Sequence, residues 1–176
     1  MSLEETTILQ SLDRVVWSPA TQTLLEPVVD RVYKQLADRT ESVMTWDAIP
    51  LSRFGTNLPP QIASAWIFVL RAGANTGAER HPNSHQRMMS YLGTGDMQVR
   101  ESEDEDWKSN ILVGDRNLPL EQRWISIPQN VWHQPVIFPD ADWVVVSFHT
   151  VPAEELIEER PEAEHRAGTK QKRYLG

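Results

Sequence analysis

Five side chains in the middle of the chain have the chemistry to bind a divalent metal ion. Glu79, His81, His85 and Gln86 lie in one short segment, and His133 follows downstream. Imidazole nitrogen and carboxylate oxygen are common ligands of first-row metals such as Zn(II) and Fe(II). The chain has no cysteine, so such a site would use nitrogen and oxygen ligands alone. The sequence therefore predicts one metal site built from these residues.

Strand-like segments surround these candidate ligands. Stretches rich in β-branched and aromatic residues alternate with Gly, Pro, Asn and Asp at short intervals, as in ASAWIFVL, MMSYLGTGDMQVRE, SNILVG, RWISIP and DWVVVSFHTV. Such spacing is typical of a β-sandwich or a barrel. Upstream, apolar residues recur at helical spacing and predict one amphipathic helix from Thr23 to Leu36. We expect strands to position the site.

The first group of candidate ligands resembles the first motif of the cupin superfamily. That motif reads Gly, five residues, His-x-His, three or four residues, Glu, six residues, Gly. Here Gly73, Glu79, His81, Gln86 and Gly93 have the same intervals. The resemblance implies that His81 is a metal ligand, whereas Glu79 replaces the first histidine and Gln86 replaces the glutamate.

A downstream segment resembles the second cupin motif, which reads Pro-x-Gly, two residues, His and later Asn. The chain has Pro128-Gln129-Asn130, two residues and His133, with Ile137 at the last position. The resemblance covers roughly residues 66–150 and implies a second histidine ligand, His133. It also implies the fold, an all-β double-stranded β-helix or jelly-roll barrel, here with an N-terminal amphipathic helix.

Either His85 or Gln86 could occupy the position of the glutamate in the first motif. Side chains alternate along a strand, so only one of them can face the barrel interior. Every second residue would share its direction: Met88, Ser90 and Leu92 follow Gln86, and Arg87, Met89 and Tyr91 follow His85. The first set is the more natural interior, but histidine is the better ligand, and the sequence leaves both alternatives open.

A site of this kind supports three functions. A redox metal would favour dioxygenase-type oxygenase chemistry on a small organic substrate, with Fe(II) preferred over Mn(II), Ni(II) or Zn(II). A Lewis-acid metal would instead support isomerase or lyase chemistry. The third function is non-catalytic binding or sensing by a cupin with a degenerate metal site. In an enzyme, Glu79 would be a metal ligand or a general base just outside the metal's coordination sphere.

Several residues near the motifs could contact a substrate. Trp66, Phe68 and Trp132 could form an apolar wall at the mouth of the barrel, and Arg87 could hold an anionic group. His149 shares strand parity with Trp143, Val145 and Ser147, so it is either a pocket residue or a core histidine.

Composition narrows the partners. The net charge of −8 disfavours nucleic acid, and no apolar run approaches the length of a membrane span. The acidic N-terminus lacks the features of a secretory signal, which predicts a cytoplasmic protein. We expect an N-terminal extension at residues 1–40, a barrel at 41–152 and an acidic then basic tail at 153–176. The amphipathic helix could cover the barrel or form a homodimer interface.

Overall fold

The computed structural model describes residues 2–161 and the backbone of residues 169–173. Two helices, α1 (Leu3–Val16) and α2 (Pro19–Asp38), precede the strands. Within the described residues the strands are β1 (Met44–Ala48), β2 (Ser64–Leu70), β3 (Gln86–Leu92), β4 (Thr94–Arg100), β5 (Ile111–Val113), β6 (Trp124–Ile127), β7 (Trp132–Ile137), β8 (Trp143–His149), β9 (Ile157–Pro161) and β10 (Thr169–Arg173). Short 3-10 turns lie at Leu51–Phe54, Leu120–Gln122 and Ala153–Glu155.

Two antiparallel sheets form the barrel. One has the strand order β1-β2-β8-β3-β6, and the other has the order β5-β4-β7. Residues 75–80 extend the second sheet, because Asn75 and Glu79 pair with β7 and Arg80 pairs with Glu159 of the β9-β10 hairpin. Side chains from both sheets pack into one apolar cluster that includes Phe68, Met97 and Trp143.

The helices cover the outer face of the five-stranded sheet. A second apolar cluster joins Leu9 and Leu12 of α1 and Val32 of α2 to residues of β2 and β8, including Ile67 and Val146. Ser2 and Ser18 cap the two helices, since each hydroxyl accepts a hydrogen bond from a backbone N–H of the first turn. The sheet is therefore apolar on both faces, and β2 and β8 are buried along their whole length.

Buried ion pairs fix α1 against the sheet. Glu5 accepts two hydrogen bonds from Arg87 of β3, at 2.6 and 2.8 Å, and one from Ser126 of β6 at 2.7 Å. At the other end of the helix, the Asp13 carboxylate pairs with Arg123 and accepts a hydrogen bond from Trp124 Nε1. Such directional contacts set the orientation of a helix that apolar packing alone would leave free to slide.

The all-β barrel with an N-terminal helix is confirmed, with two differences in detail. The structure adds α1, which the sequence analysis overlooked although its buried residues Ile8, Leu9, Leu12, Val15 and Val16 recur at helical spacing. The segment expected as a tail contains β9, in which Glu158 and Glu159 are buried. Residues 162–168 and 174–176 of that expected tail lie outside the described residues.

No helix in the described part of the chain combines the length and the apolar character that a bilayer-spanning segment needs.

Candidate metal centre

Glu79, His81 and His133 meet at one end of the barrel. Each offers a ligand atom, and these atoms all lie within 4.8 Å of one another. Glu79 and His133 form an antiparallel backbone pair that exchanges two hydrogen bonds of 2.8 Å, which places their side chains together on one face. His81 follows two residues later on that same face. The exposed fractions of the three residues are only 8%, 4% and 1%, in that order.

Backbone carbonyl groups orient both histidines. His81 Nδ1 lies 2.9 Å from the carbonyl oxygen of Ile157, and His133 Nδ1 lies 3.2 Å from that of Val131. In the tautomer that donates from Nδ1, each ring leaves Nε2 as the acceptor, which is the usual arrangement of metal-binding histidines. The ring centroids are 5.2 Å apart. Both rings are therefore fixed before any ligand binds.

Arg160 of β9 pairs with the Glu79 carboxylate. One guanidinium nitrogen contacts Glu79 Oε2, another donates to the carbonyl oxygen of Thr76 at 2.7 Å, and Nε contacts Glu158. The other oxygen, Glu79 Oε1, lies 3.4 Å from His133 Nε2. Burial raises the pKa of Glu79, but contact with His133 and the positive charge of Arg160 outweigh burial and lower it to about 2. Glu79 is therefore an anion at neutral pH.

His81 and His149 are neutral at the same pH. Burial, with the neighbouring His133 as the next contribution, lowers the pKa of His81 to about 4. Burial followed by the nearby His81 likewise lowers the pKa of His149 well below its ordinary value. A neutral imidazole is the form that binds a metal ion.

Gln86 lies inside the barrel and completes a polar chain at this end. Its amide nitrogen donates to Ser147 Oγ at 3.0 Å, and Ser147 Oγ lies 3.1 Å from His149 Nε2. The Gln86 amide oxygen is buried and has no hydrogen-bond partner among the described residues. His149 is thus placed in the pocket, with its ring centroid 5.0 Å from that of His81.

His85 and Arg87 lie on the opposite face of β3, under helix α1. His85 Nε2 is 2.7 Å from Ser126 Oγ and 3.7 Å from Glu5 Oε1, and Arg87 pairs with Glu5. Gln86, not His85, faces the barrel interior. The other face of β3, which carries His85 and Arg87, is covered by helix α1, whose position the sequence analysis did not predict. The structure therefore does not bring His85 or Arg87 to the site.

Glu79 and His81 also line a cavity whose empty volume, including open solvent at its mouth, is about 410 Å³. Glu79, His81, Gln86 and His149 line one part of it, and the remaining lining is mainly apolar: Met44, Phe68, Leu70, Met88, Met97, Pro135, Trp143 and Val145, with Thr76. Of the three expected apolar-wall residues, only Phe68 lines the cavity. Trp66 is buried in the barrel core beside Phe68, and Trp132 packs under Arg80.

The side chains fit a divalent metal ion on three counts. Two imidazoles and one carboxylate form a donor set that Fe(II), Mn(II), Ni(II) and Zn(II) all accept. His133 Nε2 is buried and faces Glu79 Oε1 at 3.4 Å, so its one close polar neighbour given by the structure is another candidate ligand atom. The Gln86 amide oxygen supplies a neutral acceptor on the same cavity wall. Arg160 is the residue that the sequence analysis missed, since no motif links it to Glu79.

No protein-family model and no curated protein sequence matches the chain. Solved structures do resemble it. CapF with the inhibitor 3-isopropenyl-tropolone superposes at a TM-score of 0.50 and 13% identity, over 64% of this chain and 29% of that one. CapF is described as a capsular polysaccharide assembling protein from Staphylococcus aureus. The coconut allergen cocosin superposes at 0.50 and 18% identity, over 66% and 28% of the two chains.

This likeness concerns the fold alone. The described chain is a cupin-type jelly-roll barrel with two helices on its outer face and a Glu/His/His group suited to a divalent metal. It spans less than a third of the length of either protein.

Proposed function

We propose that this chain is a metal-dependent enzyme that acts on a small organic substrate, with dioxygenase-type chemistry at an Fe(II) ion. The observation that carries the proposal is the convergence of Glu79, His81 and His133, of which Glu79 and His81 also line the cavity. Bound Fe(II) would activate O2, and the organic substrate would be the compound that is oxidised. Mn(II), Ni(II) and Zn(II) suit the same donor set.

The chain's own residues would position the reactants. Glu79, His81 and His133 would hold the metal, with Gln86 as a neutral fourth donor or as an acceptor for the substrate. The carbonyl groups of Val131 and Ile157 would hold the imidazole rings of His133 and His81 in the orientation that metal binding requires. The apolar lining excludes water from the bound substrate, which strengthens every polar contact at the polar end of the cavity.

Metal content tests the proposal directly. Untagged protein, purified without chelating resin and supplied with Fe(II) under anaerobic conditions, should contain about one metal ion per chain by elemental analysis. His81→Ala and His133→Ala should each lose the metal while keeping the fold, as judged by circular dichroism. His85→Ala is the matched control, because His85 lies on the other face of β3 and should leave the metal content unchanged. Absence of metal from the wild-type protein would refute the proposal.

A second candidate is a non-catalytic small-molecule-binding or sensor protein. The pairing of Arg160 with Glu79 favours it, because the guanidinium supplies the positive charge that a metal ion would otherwise provide. Under this alternative, ligand binding would not depend on a metal ion and His81→Ala would retain it. Non-redox isomerase or lyase chemistry is favoured instead if the purified protein carries zinc and consumes no oxygen.

A further inference from the structure

The cavity has one polar end and one apolar end. The inward residues of β8 show the change: Trp143 and Val145 are followed by Ser147 and His149. His149 pairs across the sheet with Gln86 of β3, whereas Trp143 pairs with Leu70 of β2. The polar and the apolar lining residues of β8 therefore lie in opposite halves of this strand. The only polar group of the Trp143 side chain, Nε1, donates a hydrogen bond to Ser90 Oγ at 2.9 Å. The apolar part of the ring lines the cavity.

The apolar end offers no charge to a ligand. Among the described residues that line the cavity there is no Lys or Arg, and the only acid is Glu79 at the polar end. The neighbouring arginines are used elsewhere. Arg71 donates to backbone carbonyl groups of residues 36, 39 and 42, and Arg80 pairs with Glu159. Arg87 pairs with Glu5 beneath helix α1.

We infer that the ligand of this cavity is a small molecule with a single polar head group and an uncharged, apolar body. The head group lies at the end formed by Glu79, His81 and Gln86, and the body lies against Leu70, Met88 and Trp143. A second ionised group on the body would lose its hydration without meeting a counter-ion, which costs several kcal/mol in an apolar environment. Short dicarboxylates, which carry two ionised groups, are thereby excluded. The inference rests on the proposed function insofar as the metal would bind the head group.

The comparison of two carboxylates of equal chain length tests the inference. Butanoate and succinate both have four carbons and a carboxylate for the polar end, but only succinate carries a second charge. Zinc-loaded protein is suitable because Zn(II) is redox-inactive and starts no oxidation. Isothermal titration calorimetry should give a dissociation constant for butanoate at least about tenfold below that for succinate. Equal or tighter binding of succinate, or no butanoate binding at millimolar concentration, would overturn the inference.

A charge placed on the cavity wall provides a second measurement. Met44 lines the cavity and is only half-buried, so Met44→Lys adds a cation with limited disturbance of the fold. It should reduce the preference for butanoate by about tenfold, because the ammonium group compensates the second carboxylate. Val43→Lys is the matched control: Val43 is the preceding residue, is 44% exposed and does not line the cavity. An unchanged preference in a folded Met44→Lys protein would contradict the inference.

The metal content of the same samples separates this inference from the proposed function. If zinc is absent and butanoate still binds more tightly than succinate, the metal proposal fails and the polarity of the cavity is supported. If zinc is bound and succinate binds more tightly, the metal site stands and the inferred ligand class is wrong.

Discussion

Lowering the pH should destabilise the metal-free protein through His81. Its ring is buried, and its pKa is lowered from the ordinary value of 6.5 to about 4. Between these two values the unfolded chain binds a proton that the folded protein does not bind. The free energy of unfolding therefore falls as the pH falls. The contribution of His81 is fully present above pH 6.5 and fully lost below about pH 4.

The magnitude follows from the shift. A difference of about 2.5 pKa units, at about 1.4 kcal/mol per unit, gives about 3 kcal/mol from this one side chain. His149 contributes in the same direction, since its pKa is also lowered by burial. A comparison of the wild-type protein with His81→Gln measures the contribution of His81 together with its effect on the pKa of the neighbouring His149.

Urea unfolding of chelator-treated protein at pH 7, 5.5 and 4 measures this effect. The wild-type free energy of unfolding should fall by about 3 kcal/mol more than that of His81→Gln over this range. The difference should be concentrated between pH 6.5 and 4. Parallel curves for the two proteins would refute the reasoning, since they would mean that His81 is accessible to protons in the folded state.

Three further changes test other parts of the structure. Gly95→Ala would place a Cβ 2.1 Å from the Trp143 ring. We therefore expect the free energy of unfolding, measured in urea, to fall by about 1–3 kcal/mol. Adding Trp143→Phe should restore part of this loss. Asp13→Asn should cost about 2 kcal/mol by the same assay, because Arg123 would remain buried without its counter-ion, whereas exposed Asp38→Asn should cost almost nothing. Removal of residues 154–176 deletes Arg160 and the Ile157 carbonyl group. Titration calorimetry should then show that zinc binds about tenfold more weakly or worse. An unchanged affinity for zinc would mean that neither residue supports the site.

The sequence predicted those parts of the site that depend on local spacing. Glu79 and His81 are two residues apart, so strand alternation alone places them on one face. The motif that contains His133 supplied the neighbouring strand. The choice between His85 and Gln86 could not be made from the sequence, because it depends on which face of β3 the helices cover. Glu5, the residue that receives Arg87 beneath the helices, lies 82 positions upstream of it.

Long-range contacts were beyond the sequence analysis for the same reason. Arg160 reaches Glu79 across 81 positions, and the acidic segment around it is typical of a solvated surface. Pairing with β10 and the backbone bridge between Arg80 and Glu159 make this segment a strand. Helix α1 is a different case. Its buried residues Ile8, Leu9, Leu12, Val15 and Val16 recur at helical spacing, so the sequence carries the signal for this helix and the prediction overlooked it.

The position of β9 also bears on the order of events during synthesis. The carbonyl group of Ile157 orients the His81 ring, and Arg160 supplies the counter-charge of Glu79. The geometry of both side chains therefore depends on residues that are translated well after His81 and Glu79 themselves. Contacts between such distant positions form late in folding. While the barrel strands are emerging from the ribosome, Glu79 and His81 are incompletely ordered. We therefore expect the nascent chain to bind metal poorly. Selective metal binding should begin only after β9 has left the ribosome and packed against the barrel.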